Sequence, residues 1–249
     1  MNIAVCVKHV PDSETRPRIA ESGTEIQKEG VKWVVNPYDE YAIEEALRLT
    51  EKHGGEVTVI SLGPAEIEPT IRAALAMGAH KAIRINATKN PSDPLVIAKA
   101  LSEVLKDKNF DLIFFGKQAI DDDMVQVPQM VGEALGLPCV TMIVKLELEG
   151  DTARVMREIE GGKEELTFKL PAVLSAQKGL NEPRYRSLKG IMMAKKIPIE
   201  VVELPLDSEQ IVIESLQYPP QKQPGKIVGE GAEAVPELVR LLREEAKVI

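Results

Sequence analysis

Three consecutive aspartates lie near the middle of this chain, in a segment whose residue types suit phosphate binding. The apolar run Asp111–Phe115 predicts a buried parallel strand, and Gly116–Met130 (GKQAIDDDMVQVPQM) follows it directly. Apolar residues then recur on one helical face, at Val127, Met130, Val131, Ala134 and Leu135. The segment is therefore interpreted as the end of a strand, a loop and the start of a helix.

In an open α/β sheet, ligands bind beyond the carboxyl ends of the strands. The backbone N–H groups of residues 125–127 could hold a phosphate at the positive end of the helix dipole. The aspartates could also cap exposed N–H groups in an ordinary turn between strand and helix. From the residues alone, a nucleotide site and a well-capped turn both stay open.

No other residue set predicts catalysis or metal binding. The three histidines, His9, His53 and His80, lie at no ligand spacing and are interpreted as structural. Capping and solvation explain Asp121–Asp123 better than a magnesium site does. The sequence has no G-x-S-x-G motif, and neither cysteine has a neighbouring base. This pattern favours a binding or carrier protein over an enzyme and predicts no metal.

A second segment, Leu180–Lys196, mixes basic and apolar residues. Residues 177–197 hold six basic side chains and one acid, Glu182; the basic residues are Lys178, Arg184, Arg186, Lys189, Lys195 and Lys196. Between them lie Leu188, Ile191, Met192 and Met193. Such a loop could dock on an acidic partner with a hydrophobic pocket, or it could be a solvated loop. The residues leave both interpretations open.

Composition excludes several classes of protein. The net charge of -8 over 249 residues argues against nucleic-acid binding, and an aromatic content of 4% argues against base stacking. The chain has no apolar run of membrane-spanning length, and its N-terminal residues show no signal pattern. Cys6 and Cys139 lie in apolar surroundings and are expected to be free thiols. We therefore expect a cytoplasmic protein.

Strand and helix patterns alternate over residues 1–140, which predicts an α/β fold with a parallel sheet. Predicted strands cover 3–10, 32–35, 56–62, 81–85 and 111–115, and predicted helices cover 38–52, 66–77 and 91–106. Beyond Pro138, alternating runs at 142–148, 153–158 and 165–170 predict an antiparallel meander, followed by a strand at 172–176. Neither G-x-G-x-x-G nor a P-loop occurs.

Two domains are expected. Residues 1–203 would form the α/β domain, with a loop at 180–196. Residues 204–249 carry Pro205, Pro219, Pro220 and Pro224 and predict an extended arm that ends in an amphipathic helix at about 234–246. Such an arm buries little against itself, so we expect it to wrap the domain or a partner.

Four motifs, in order, resemble the beta subunits of electron-transfer flavoproteins. They are Val35–Arg48 (VNPYDEYAIEEALR), Gly63-Pro64 with Ile71–Ala79, Gly116–Asp123 (GKQAIDDD), and Leu180–Tyr185 (LNEPRY) with the residues through Lys196. The resemblance covers nearly the whole chain. It implies an adenine nucleotide alpha hydrolase-like domain and a carrier without catalytic residues of its own.

The resemblance also implies a nucleotide site. The beta subunit would bind a buried AMP, while the redox FAD is held mainly by the alpha subunit. The implied AMP residues are Cys6, Asn36, Pro37, Tyr38, Asp39, Leu62, Gly116, Lys117, Gln118, Ala119, Ile120, Asp121, Asp122, Asp123, Met124, Val125, Gln126 and Val127. The phosphate would lie over the backbone of residues 125–127, the place already favoured by helix electrostatics.

Partner contacts are implied as well. Leu188 resembles a leucine that inserts into partner dehydrogenases, such as acyl-CoA dehydrogenases, with Ile191 and Met192 beside it. Glu158 matches a glutamate that helps hold the flavin domain. The family further implies an alpha subunit and a quinone oxidoreductase as electron acceptor. Met193 replaces a family lysine and makes this loop less basic.

Departures from the family pattern leave alternatives. Val125-Gln126-Val127 replaces a common Asn-Gln-Thr, so the phosphate would depend on backbone donors. In bifurcating members a second FAD replaces AMP; these typically carry Asp-Gly-Asp-Thr where this chain has Asp121–Met124, although Gln126-Val127 suits their pattern. The resemblance favours AMP over this second FAD. A free-standing nucleotide-binding regulatory protein is a further alternative.

Overall fold

A nine-stranded sheet forms the centre of the molecule. The computed structural model describes residues 1–221 and 224–249; residues 222 and 223 of the predicted arm lie outside the described residues. Strand bounds are β1 Asn2–Cys6, β2 His9–Pro11, β3 Trp33–Val35, β4 Glu56–Gly63, β5 Lys81–Asn86, β6 Leu112–Gly116, β7 Cys139–Glu149, β8 Thr152–Ile159, β9 Gly162–Lys169, β10 Ala172–Ala176 and β11 Ile199–Val202. The sheet order is β11-β5-β4-β1-β6-β10-β7-β8-β9, parallel except for β7-β8-β9.

Helices cover both faces of the parallel part. Helix bounds are α1 Pro37–His53, α2 Glu68–Met77, α3 Pro94–Leu105, α4 Val127–Leu135, α5 Leu188–Ala194 and α6 Val235–Glu244. Residues of α1, α2 and α5 share one apolar core with the sheet, and residues of α3 and α4 share the other. Because both faces are covered, the central strands are almost entirely apolar. The predicted α/β class with an antiparallel extension is confirmed.

The chain reverses its direction of sheet growth at β1. From β1 it proceeds through β4 to β5 on one side, and then crosses to β6 on the other. The carboxyl ends of β1 and β6 therefore diverge into different loops, which opens a crevice between them. Crevices at such a reversal are where open α/β sheets bind ligands.

One predicted strand is corrected, and one strand was not predicted. The single strand predicted at 3–10 ends at Cys6, because the N–H of Lys8 donates to Asp39 Oδ2 (2.7 Å) instead of a neighbouring strand. The chain then forms β2, which pairs with β3 in a separate two-stranded sheet, and Pro11 lies within that pairing. β11, to which no prediction was assigned, is a four-residue strand that pairs with β5 at the sheet edge.

The described residues divide into two units, Met1–Glu214 and Ser215–Ile249. The first unit thus includes residues 204–214 of the predicted arm, because polar side chains there hydrogen-bond to the loop before α3. The second unit contains α6, whose Leu238 is half-exposed. In the part of the chain that the structure describes, no helix is long and apolar enough to cross a membrane.

Candidate functional site

An open cleft lies where β1, β4 and β6 end. Its empty volume is about 890 Å³, including the mouth open to solvent. The predicted site residues that line it are Cys6, Asn36, Asp39, Leu62, Gly116, Lys117, Gln118, Ala119, Asp122, Met124, Val125, Gln126 and Val127. The structure therefore brings four distant sequence segments together at one place.

Five predicted residues do not line the cleft: Pro37, Tyr38, Ile120, Asp121 and Asp123. Pro37 begins α1, and the ammonium of Lys117 lies 5.9 Å from the Tyr38 ring centroid. The N–H of Ile120 donates to Asn36 Oδ1 (3.2 Å). Tyr38 and Ile120 therefore contact the lining residues Lys117 and Asn36 without lining the cleft themselves.

Sequence reasoning missed one wall of the cleft. The missed lining residues are Val7, Lys8, His9, Ile60, Asn90, Pro91, Pro94, Ile97, Leu101, Phe115 and Pro128. Their position in the chain could have identified four of them, because Lys8 and His9 follow the end of β1 and Asn90 and Pro91 follow the end of β5. The apolar side chains of α3 come from its buried face, which a helical pattern marks only as core.

The side chains of Asn36 and Asp39 form hydrogen bonds to several of the segments around the cleft. Asn36 precedes α1 but its side chain caps no helical N–H; its Nδ2 instead donates to Asp39 Oδ1 (2.9 Å) and to the carbonyl of Gln118 (2.8 Å). Asp39 accepts from the N–H of Gly116 (3.0 Å) and of Lys8 (2.7 Å). Burial raises the pKa of Asp39 to about 7, against the pull of these donors.

The N-terminus of α4 presents unpaired donors. Within residues 1–221 and 224–249, the backbone N–H groups of Val125, Gln126 and Val127 donate to no protein acceptor. The side chain of Gln126 at the N-cap position makes no capping bond, and Val125 has a positive φ of 54°. A β-branched residue in this conformation is unusual. Such a group of free N–H donors suits an anion.

The side chain of Lys8 links the end of β1 to the loop that holds Asp121, Asp122 and Asp123, called here the aspartate loop. Its Nζ donates to Asp121 Oδ1 (2.8 Å) and Asp122 Oδ2 (2.7 Å), while Asp122 Oδ1 accepts from the N–H of Met124 (3.2 Å). Burial opposes the charge of Lys8, but the two ion pairs outweigh it and raise the pKa of Lys8. Asp123 pairs with the side-chain amide of Gln118 (2.5 Å). Asp121 and Asp122 thus bind Lys8, and Asp123 binds Gln118. Of the three aspartate side chains, only that of Asp122 also accepts from a nearby backbone N–H.

The remaining reactive groups have structural partners. Burial raises the pKa of the Cys6 thiol far above its usual range, and that of Cys139 to about 11; both thiols are free. His9 stacks on Trp33 (ring centroids 4.5 Å apart) and its Nδ1 contacts Thr70 Oγ1 (2.6 Å). The described residues hold no group of acidic, histidine or cysteine side chains suited to a metal.

The 180–196 segment is fixed at its beginning by α1. Arg184 Nε donates to Glu44 Oε2 (2.7 Å) and its Nη1 to Glu51 Oε1 (2.5 Å). Asn181 Nδ2 donates to Glu45 Oε2 (2.9 Å). Glu44 and Glu45 are buried, so their bonds to Arg184 and Asn181 form largely out of water and orient the segment, whereas the bond to Glu51 is exposed.

The second half of the segment is α5 rather than a loop. The side chain of Ser187 caps this helix by accepting from the N–H of Gly190 (3.0 Å). A Cβ on Gly190 would collide with the carbonyl oxygen of Ala76 on α2, so α5 packs closely there. Arg72 on α2 also donates to the carbonyl of Ala194 (2.6 Å).

Between these two attachments, apolar side chains remain exposed. Leu188 is 83% exposed, Met192 66% and Ile191 41%, and Tyr185 next to them is 100% exposed. The predicted docking residue Glu158 lies elsewhere, at the end of β8 beside half-exposed Ile159. The chain therefore offers a rigid apolar projection and a separate acidic hairpin tip.

Comparison with known proteins finds close relatives of this chain. Residues 24–207 match the family described as "Electron transfer flavoprotein domain". The "Electron transfer flavoprotein subunit beta" of Bacillus subtilis (strain 168) is 46% identical over 260 residues, covering 100% of both chains. Proteins of the same name from Bradyrhizobium diazoefficiens and Homo sapiens are 41% and 40% identical over 256 residues, covering 100% of this chain and 100% and 99% of theirs.

Proposed function

This chain belongs to the beta subunits of electron-transfer flavoproteins, and we propose that it holds AMP as a structural ligand in the cleft at the ends of β1, β4 and β6. As a member of this family it is an electron-carrier subunit of a heterodimer and not an enzyme in its own right. Its partner is the alpha subunit. The alternative of a free-standing nucleotide-binding regulatory protein is therefore not retained.

One observation carries the proposal for AMP. The N–H groups of residues 125–127 are unpaired at the N-terminus of α4, and they lie at the rim of a cleft whose opposite wall is apolar. A phosphate satisfies such donors, and an adenine ring suits a wall made by Ile97 and Leu101 of α3. Because the side chains at 125 and 127 are valines, the phosphate would be held by backbone groups.

The aspartate loop supports AMP over a second FAD. Asp122 takes part in the tie to Lys8 through its side chain, and bifurcating members typically have a glycine at this place. A chain with glycine there would lose this ion pair and keep only the one between Lys8 and Asp121. The sequence Gln126-Val127 favours the bifurcating alternative, in which FAD would occupy the same cleft.

The exposed projection supports docking. Leu188, Ile191 and Met192 would insert into a hydrophobic pocket of a partner dehydrogenase, such as an acyl-CoA dehydrogenase. Glu158, at the tip of the β8–β9 hairpin, would help hold the flavin domain of the alpha subunit. The FAD in that domain would supply the redox chemistry and pass electrons to a quinone oxidoreductase.

A titration of the nucleotide-free heterodimer tests the proposal. AMP is expected to bind tightly, adenosine much more weakly because it has no phosphate, and added FAD is not expected to displace AMP. Displacement of AMP by equimolar FAD would favour the bifurcating alternative. Equal affinity for AMP and adenosine would contradict a phosphate at residues 125–127.

A further inference from the structure

One wall of the cleft is fixed by a segment distant in sequence. Asn90, Pro91 and Pro94 line the cleft and belong to the connection between β5 and α3. Glu209 accepts from the N–H of Ser92 (2.5 Å), from Ser92 Oγ (3.0 Å) and from the N–H of Asp93 (3.3 Å). One carboxylate therefore satisfies three donors of the connection.

Two further contacts complete this attachment. Lys89 forms an ion pair with Glu209. Asp93, which is buried, caps α3 by accepting from the N–H of Leu95 (2.9 Å) and also accepts from the N–H of Gln210 (2.7 Å). Residues 207–210 and the connection thus hold each other from both sides. The side chain of Glu209 is only 18% exposed, so water competes weakly for these bonds.

We propose that Glu209 is a positioning residue for the nucleotide cleft, which makes nucleotide binding and the docking of residues 207–210 mutually dependent. The inference rests on the proposed function, because it concerns the same cleft. Glu209 does not line the cleft. It acts through Ser92 and Asp93, which it holds between the lining residues Pro91 and Pro94. By linkage, a nucleotide that requires this wall must in turn stabilise residues 207–210.

The first test is a variant series in the heterodimer, titrated with AMP and with adenosine. Glu209→Ala removes the carboxylate that accepts from Ser92 and Asp93. The Kd values of AMP and adenosine are expected to rise equally, by roughly tenfold, because the wall contacts the nucleoside and not the phosphate. Glu209→Gln keeps a side-chain oxygen for Ser92 and should restore most of the affinity. Asp207→Asn is the matched control, since its ion pair with Lys99 is exposed and does not involve the connection.

The second test needs no variant. Hydrogen exchange of the amides at residues 207–211 is expected to slow when AMP binds to the wild-type heterodimer, since the N–H of Gln210 is bonded to Asp93. Unchanged exchange at these amides, or normal AMP affinity in Glu209→Ala, would overturn the inference. If wild-type heterodimer binds no AMP at all, the proposed function fails instead, so the two failures are distinguishable.

Discussion

The carboxylate of Asp39 accepts a hydrogen bond from the backbone N–H of Gly116 at 3.0 Å, which joins the first turn of α1 to the carboxyl end of β6. This contact has no room for a side chain at residue 116. A Cβ built there would lie 2.7 Å from the carbonyl carbon of Tyr38, which is backbone and cannot turn aside. The cleft therefore depends on how closely these two residues approach.

Gly116→Ala is expected to push α1 away from β6 and lower the free energy of unfolding by about 1–3 kcal/mol. AMP affinity should fall with it, because Asp39 and Lys117 lose their positions in the cleft. Chemical denaturation and an AMP titration measure both effects. Gly162→Ala is the matched control, since nothing lies within 4 Å of a Cβ there. Equal stability of the two variants would contradict the close-approach argument.

The pH dependence of stability should reveal the protonation of the Asp39 carboxylate. Its pKa is raised from 3.8 to about 7 by burial, so the native state holds the proton more tightly than the unfolded state. Its contribution to stability is fully present below pH 3.8 and is lost as pH rises through about 7. The total change from this group is on the order of 4 kcal/mol.

The check is a comparison of unfolding free energies between about pH 5 and pH 8 for nucleotide-free wild-type protein and Asp39→Asn. The variant does not titrate at this position, so its stability should fall less steeply over this range. Glu160→Gln, an exposed carboxylate replaced in the same way, should keep the wild-type slope. An unchanged slope in Asp39→Asn would contradict the assignment.

Lys8→Ala tests the tie between β1 and the aspartate loop. Without the ammonium, the negative charges of Asp121 and Asp122 are unbalanced beside the bound phosphate. The Kd for AMP is therefore expected to rise by roughly three- to tenfold, and that for adenosine to change less. Calorimetric titration at two salt concentrations measures this, with Lys32→Ala, an exposed lysine paired with Asp12, as control. Equal weakening of AMP and adenosine would argue for a purely structural role.

Leu188→Ala tests the docking projection. The side chain is 83% exposed on a helix that is fixed to α2, so truncation should leave folding and AMP content unchanged. Electron transfer from the partner dehydrogenase should fall at least roughly tenfold in kcat/KM, mostly through KM. Val201→Ala, an exposed apolar residue of β11, is the control. Unimpaired transfer in Leu188→Ala would remove this residue from the docking surface.

Sequence patterns predicted those features that depend on local periodicity. The alternation of strand and helix patterns predicted the parallel sheet, and the turn at Gly150 predicted the antiparallel extension. The start of α4 near Val127 followed from its apolar face. These elements bury one face or both, so their hydrophobic pattern is strong enough to be interpreted without tertiary information.

Features created by long-range polar contacts could not be predicted in this way. The strand at 3–10 is interrupted because Lys8 bonds to Asp39, which is distant in sequence. Asn36 occupies the N-cap position but its side chain serves the Gln118 loop. The wall at Asn90 and its attachment to Glu209 have no local signature, since each half is an ordinary polar loop.

The nucleotide released from the purified heterodimer tests the central claim most directly. Denaturation followed by mass spectrometry and quantitation should find one AMP per beta chain, together with a single FAD for each heterodimer. Two FAD molecules per heterodimer and no AMP would contradict the account and assign the cleft to a second flavin.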